Sequence, residues 1–253
     1  MMTNDPDGPD RVELADAPTR QARNSATFWA ATGSSRGDEV VRQRAYVAVV
    51  GSARTGSRVL IQEPDLTASE CAEVLDLVRG ASGPMTVEDP FSALDLGELD
   101  LRSWQMPVMV RQVSPAVAPA MDVVRVGDDT DLQAAERIVI DSFDLTSFEP
   151  YRAGELFPPA LLEQPGVDVY VATVEGQPVG ACVAVVADGL GSHYWVGTPS
   201  ASRSRGAGRA VMAASLVDMG GLPATLTASR LGRPLYESLG YELASPSTWW
   251  ASR

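Results

Sequence analysis

The hexapeptide Arg203-Ser204-Arg205-Gly206-Ala207-Gly208 lies between a β-rich stretch, 193–196, and a run that reads as a helix over 206–219. Glycines two residues apart let the main chain turn tightly and come close to a ligand. Where such a turn opens a helix, successive N–H groups point the same way and the helix dipole adds partial positive charge. The result is a phosphate cradle that needs no lysine. Charge patterning agrees. In a chain with 33 acidic residues, none occurs between Asp188 and Asp218, and Arg203, Arg205 and Arg209 fall in that gap. A solvated loop carrying three arginines is the plainer alternative. A dinucleotide fingerprint fits poorly, because Val211 stands where its third small residue belongs and the hairpins upstream contradict a βαβ unit.

Composition removes other chemistries. All 20 basic residues among the 253 are arginine. That excludes a Walker lysine, a Schiff-base lysine and any lysine nucleophile. One histidine, His193, and two cysteines, Cys71 and Cys182, are too few for a zinc site built from such ligands, so no metal is expected. A Ser-His-Asp hydrolase would have to use His193. The net charge of −13 argues against nucleic acid, whose phosphates need a basic surface, and against anionic membranes. The N-terminus is acidic and lacks the apolar core of a signal peptide. The longest apolar stretches, near 181–187 and 210–214, fall far short of the ~20 residues that cross a bilayer. The expectation is a cytoplasmic protein, monomer or homodimer, with both thiols reduced.

Outward from the hexapeptide, periodicity and turn chemistry divide the chain. Residues 1–18 read as a mobile tail, 19–113 as a smaller first domain, 114–121 (Ser-Pro-Ala-Val-Ala-Pro-Ala-Met) as a linker, and 122–253 as the main domain. In the first domain a helix is expected over 19–31, stopped by Gly33. Strands follow at 46–50 and 59–62, then a helix opened by the capping-box pattern Thr67-Ala-Ser-Glu70. A strand at 85–87, a helix at 91–99 and a strand at 104–110 complete it. In the second domain a strand at 123–126 precedes a helix capped by Asp128 or Asp129, and 151–162 reads as an interrupted helix. Strands at 169–174 and 179–186 flank a Glu-Gly-Gln-Pro turn. After the hexapeptide helix come a strand at 224–228, a short helix at 234–239 closed by Gly240, and an extended segment at 242–252. The order helix-strand-helix-strand ends both halves, which suggests a diverged duplication; a single larger domain with an N-terminal extension is the alternative. The acidic run 88–100 reads as a solvated helix face.

The second half resembles the GNAT acetyltransferases. Val196-Gly197-Thr198 followed by residues 203–208 is similar to that family's strand and R/Q-x-x-G-x-G/A helix opening, and Leu235-Tyr236-Glu-Ser-Leu239-Gly240-Tyr241 is similar to its later Tyr helix and Leu-Gly-aromatic sequence. The resemblance covers about 122–253. It implies an α/β (α+β) fold: a mixed, mostly antiparallel sheet flanked by helices, here preceded by a smaller, diverged GNAT-like half. That half has no glycine cradle, so its expected role is to cover the sheet and shape the acceptor pocket.

The resemblance also implies acetyl-CoA as co-substrate and direct attack of a neutral amine on the thioester. Val196, Gly197 and Thr198 would meet the pantetheine arm, and a main-chain N–H on this strand would polarise the thioester carbonyl. Arg203, Ser204, Arg205, Gly206, Ala207 and Gly208 would hold the pyrophosphate, with Arg209 as a neighbouring cation. Tyr236 would protonate or hydrogen-bond the departing thiolate; the alternative is a ring packed in the core. Ser229, which follows the strand before the Tyr helix, would be a further cofactor or acceptor contact. For the base, His193 has a suitable intrinsic pKa; Asp188, Glu149, Glu155 and a water chain are alternatives. The expected acceptor is a small-molecule amine. A non-catalytic acyl-CoA module or sensor on the same fold, and protein or N-terminal acetylation, stand as competing readings.

Overall fold

The computed structural model describes residues 11–115 and 117–252. Two mixed sheets carry the architecture. The first runs β1 (Glu39–Arg42), β2 (Tyr46–Val50), β3 (Ser57–Ile61), β4 (Met85–Asp89), β13 (Thr248–Ser252) and β5 (Leu101–Gln105). The second runs β12 (Glu242–Ser245), β6 (Val108–Arg111), β11 (Ala224–Thr227), β10 (Leu190–Gly197), β9 (Gln177–Ala187), β8 (Val167–Val174) and β7 (Asp122–Arg125). Each sheet is antiparallel except for one parallel pair, β3 with β4 and β10 with β11. The mixed, helix-flanked sheet expected from the sequence is therefore present.

The sheets exchange strands. Strand β6 leaves the first half of the chain and inserts between β11 and β12, while β13 returns from the C-terminus and inserts between β4 and β5. The expected boundary at 114–121 thus separates two lengths of chain but not two sheets. The strand expected at 104–110 is two strands in different sheets, broken at Met106-Pro107, since proline cannot donate to a ladder. The segment expected to be extended at 242–252 divides in the same way around Pro246 and Ser247.

Helix α1 (Ala17–Arg36) lies between the sheets. It is polar on faces that are nonetheless buried, because its side chains find partners across the junction. Asn24 Nδ2 donates to the carbonyls of Val185 and Leu190, and Asn24 Oδ1 accepts from Tyr194 Oη at 2.9 Å. Ser25 donates to Glu88 at 2.7 Å. Phe28 is fully buried and stacks on Tyr194 with centroids 4.4 Å apart. The helix does not stop at Gly33; bare Cα there lets the helix close on Val49, and the chain turns left-handed only at Gly37. Residues 1–10 of the expected tail lie outside the described residues. Residues 11–18 are no tail: Val12 is buried and exchanges two hydrogen bonds with the Gln112 side chain.

Helix α2 (Ala68–Gly80) begins with the expected capping box. The helix expected at 91–99 is absent. Asp89 instead accepts from the amides of Phe91 and Leu94, which fixes a loop, and Glu88 pairs with Arg58. The start of the acidic run is therefore buried structure, not a solvated face. Helix α3 (Asp129–Phe143) is capped by Asp128. The helix expected over 151–162 reduces to one 3-10 turn, Pro159–Leu161. The buried carboxylate of Glu136 explains this. It accepts from Tyr151 Oη and from the amides of Gly154, Leu156 and Phe157, holding the segment as a loop against α3. Among the described residues no helix is long and apolar enough to cross a membrane. No group of three or more His, Cys, Asp or Glu there comes together around a metal position.

Candidate functional site

Strand β10 and helix α4 (Ala207–Asp218) frame the site. Strand β10 pairs with β11 only at Gly191–Ala224 and Ser192–Thr225, then parts from it. On its other edge it breaks register with β9 between Tyr194 and Gly197, where Trp195 adopts φ +53°. On the β11 edge the strand end thus has no ladder partner and leaves a wedge, while on the other edge Gly197 pairs again with Ala181 of β9. A register break of this kind re-aims the chain beside a functional cleft.

The hexapeptide fills the top of the wedge. Ser204 and Gly206 have φ of +60° and +89°, and Gly206 is the helix N-cap with no side-chain cap. Beyond Arg203, whose amide bonds the Ser200 carbonyl, the amides of residues 204–209 meet no protein acceptor among the described residues. Residues 203–206 are exposed. The opening turn of a helix always leaves such donors over. Here residues 204–206 are exposed while Ala207 is buried, so the outer amides of the turn are the ones open to a diphosphate. Arg203 Nε donates to the Thr198 carbonyl, and Arg209 reaches Ser238, which ties α4 to the end of α5 (Arg233–Glu237).

Gly208 is the point of convergence. A Cβ there would lie 3.4 Å from Leu235 Cδ2, 3.6 Å from Thr198 Oγ1 and 3.9 Å from Val196 Cγ1. The structure therefore brings together Val196, Thr198, the cradle and α5. Tyr236 sits on α5, buried, with its hydroxyl bonded to no described residue. Burial first, and then Cys182, push its pKa up to about 12, so the phenol keeps its proton at any working pH. Gly232 makes room for that ring: a Cβ there would stand 2.9–3.0 Å from Tyr236 Cε2, Cζ and Oη. Ser229 is exposed and accepts from the Gly232 amide at 3.0 Å, shaping the entry to α5.

His193 is misplaced for a base, and the expectation is corrected here. It is buried against α4. Ser215 Oγ donates to the Met212 carbonyl, so His193 Nε2–H donates to Ser215 at 2.7 Å, and His193 Nδ1 accepts from Tyr241 Oη at 3.0 Å. Both nitrogens are occupied in the neutral ring. Burial, reinforced by Arg111, pushes its pKa down to about 3. The other acids suggested for this role are engaged or distant from the wedge. Glu149 pairs with Arg137, Glu155 with Arg54, and Asp188 sits in the β9–β10 turn.

Trp195 and Gly232 escaped the sequence reading. The signal for Gly232 was available, as a glycine two residues before a helix-opening proline; for Trp195 there was none.

No family model matches this sequence, and no curated protein does. Solved structures do share the fold. A GCN5-related N-acetyltransferase from Kribbella flavida superposes with TM-score 0.61 at 20% identity, covering 92% of this chain and 95% of its own. A protein assigned to the GNAT family of acetyltransferases from Novosphingobium aromaticivorans gives 0.59 at 16% identity, over 95% and 98%. A GCN5-related N-acetyltransferase from Sphaerobacter thermophilus gives 0.53 at 17% identity, over 95% and 93%. These likenesses extend over nearly the whole chain, first half included, and show that the fold is GNAT-like.

Proposed function

We propose that this GNAT-like chain is an acetyl-CoA-dependent N-acetyltransferase that acts on the amine of a small molecule. The observation that carries the reading is the wedge itself, in which strands part where uncapped helix amides point outward. A tandem origin, with the first half having lost its cofactor site, is part of the proposal; the repeated strand order around each exchanged strand supports it.

Acetyl-CoA supplies an activated acetyl thioester. The amides of residues 204–209 hold its diphosphate, and Arg203 and Arg205 add positive charge at the rim. Val196 and Thr198 line the arm in strand fashion. Main-chain N–H groups at the β10 register break polarise the thioester carbonyl. Tyr236, held protonated, donates to the leaving sulfur. In the transfer a C–N bond forms to the acceptor, the C–S bond breaks, and the amine proton passes to water, since His193, Glu149, Glu155 and Asp188 are engaged elsewhere or distant from the wedge. The acceptor must therefore arrive neutral. Tyr236 favours this reading over a sensor, because a buried phenol with an uncommitted hydroxyl beside the cradle has a chemical use only if a leaving group appears there.

Titration calorimetry with acetyl-CoA and CoA, followed by thiol release across an amine panel, tests the proposal. Binding with turnover supports the enzyme. Binding without turnover on any amine leaves the sensor, and absence of binding at sub-millimolar levels removes both.

A further inference from the structure

A cavity of about 130 Å³ opens at the junction of the two halves, beside the β10 register break. Its wall includes Trp29, Arg36 and Arg58 from the first half and Phe148, Leu156 and Trp195 from the second. The size is close to the roughly 150 Å³ of an apolar cavity that admits benzene. The polar character of this wall is one-sided. Arg58 donates only through Nη1, to Glu88, and Arg36 only through Nε, to Asp38, so each guanidinium keeps unspent N–H groups. The buried indole Nε1 atoms of Trp29 and Trp195 have no acceptor among the described residues, but they are packed away from the cavity, so these two residues offer it apolar surface. The other polar side chains in the wall are hydroxyls, and among the described residues no carboxylate lines the cavity. In a chain of net charge −13, this is a local excess of donors. Buried donors left unpaired are costly, and a carboxylate fits a guanidinium fork in a bidentate way.

We propose that this cavity is the acceptor pocket, and that it takes a small amine whose apolar body, about one aromatic ring in size, carries a carboxylate that meets Arg58. The word acceptor rests on the acyl-transfer reading; the ligand class rests on the wall alone. Polycationic amines are excluded because no described acid lines the cavity to receive them. Trp195 joins this pocket to the strand end that would polarise the thioester.

Calorimetry on the full chain, with and without acetyl-CoA, tests the proposal using 4-aminobenzoate and L-phenylalanine as probes, and aniline and spermidine as controls. At least one carboxylate probe should bind, with aniline at least about tenfold weaker than 4-aminobenzoate and spermidine not detected. Ser147→Phe, which fills the cavity from the second half, should weaken the carboxylate probe at least about tenfold while acetyl-CoA affinity stays within about twofold. Thr55→Trp fills it from the first half and serves if Ser147→Phe does not fold. The proposal is overturned if spermidine binds as well as the carboxylate probes, if neither carboxylate probe binds in either condition, or if filling the cavity leaves their affinity unchanged. Should acetyl-CoA fail to bind while a carboxylate probe still binds the cavity, the transferase reading falls and the ligand class stands.

Discussion

Helices α2 and α4 occupy corresponding places in the two halves, each after the third strand of the repeated order, yet they begin in opposite ways. At α2, Thr67 Oγ1 accepts from the Glu70 amide and the Glu70 carboxylate accepts from the Thr67 amide. The Arg44 side chain bonds that carboxylate in turn and, with Thr67, draws its pKa down to about 2. This helix start is closed by its own acid. At α4 a left-handed glycine replaces the cap and the amides stay open. The neighbouring strands follow suit: β3 and β4 stay in register over four residue pairs, whereas β10 and β11 keep two. A helix start can spend its N–H groups on its own cap or leave them for a ligand; the first half does the former, and the second leaves them unspent.

The largest effect should come from copying the first device into the second. Gly206→Thr with Arg209→Glu supplies the capping-box residues at α4 and forces the left-handed turn at 206 toward the extended form that Thr67 has, and acetyl-CoA affinity should fall at least about 100-fold, read by calorimetry. Unchanged affinity would show that the cradle is not the diphosphate site. Next, Tyr236→Phe should lower the rate of thiol release by about 30-fold with acetyl-CoA binding unaltered, since the hydroxyl acts only as the sulfur departs.

The third prediction concerns the core of the second half. Burial, reinforced by Arg111, pushes the His193 pKa down to about 3 in the folded chain, against about 6.5 for a free imidazole. Between those values the unfolded chain binds more protons, so this contribution is whole above about pH 6.5 and declines as pH falls toward 3. The loss should reach about 1–2 kcal/mol between pH 6.5 and 5. Guanidinium unfolding at pH 7 and pH 5 measures it, and His193→Gln should flatten the difference. The smallest effect belongs to α2: Thr67→Ala should cost about 1 kcal/mol of stability and leave acetyl-CoA binding untouched.

Much of this contrast was written in local sequence. Thr67 with Glu70, and Gly206 with Gly208, are short-range signals whose meaning depends on one turn of chain. The Glu175-Gly176 hairpin was legible for the same reason, since both residues take positive φ. The rest depended on partners far along the chain. Glu136 turns 151–157 from a helix into a loop through bonds that no periodicity records. Strands β5 and β6 read as one because alternation says nothing of which sheet a strand will join. The junction cavity draws Trp29, Arg58 and Trp195 from three remote segments, each of which alone reads as ordinary core.

The exchanged strands set an order of assembly. The first sheet cannot close until residues 248–252 arrive, so during synthesis the first half must wait, incomplete, for nearly the whole chain to emerge. A protease cut within 114–121 should then leave two fragments still clasped together, while neither fragment expressed alone holds all the strands of its own sheet.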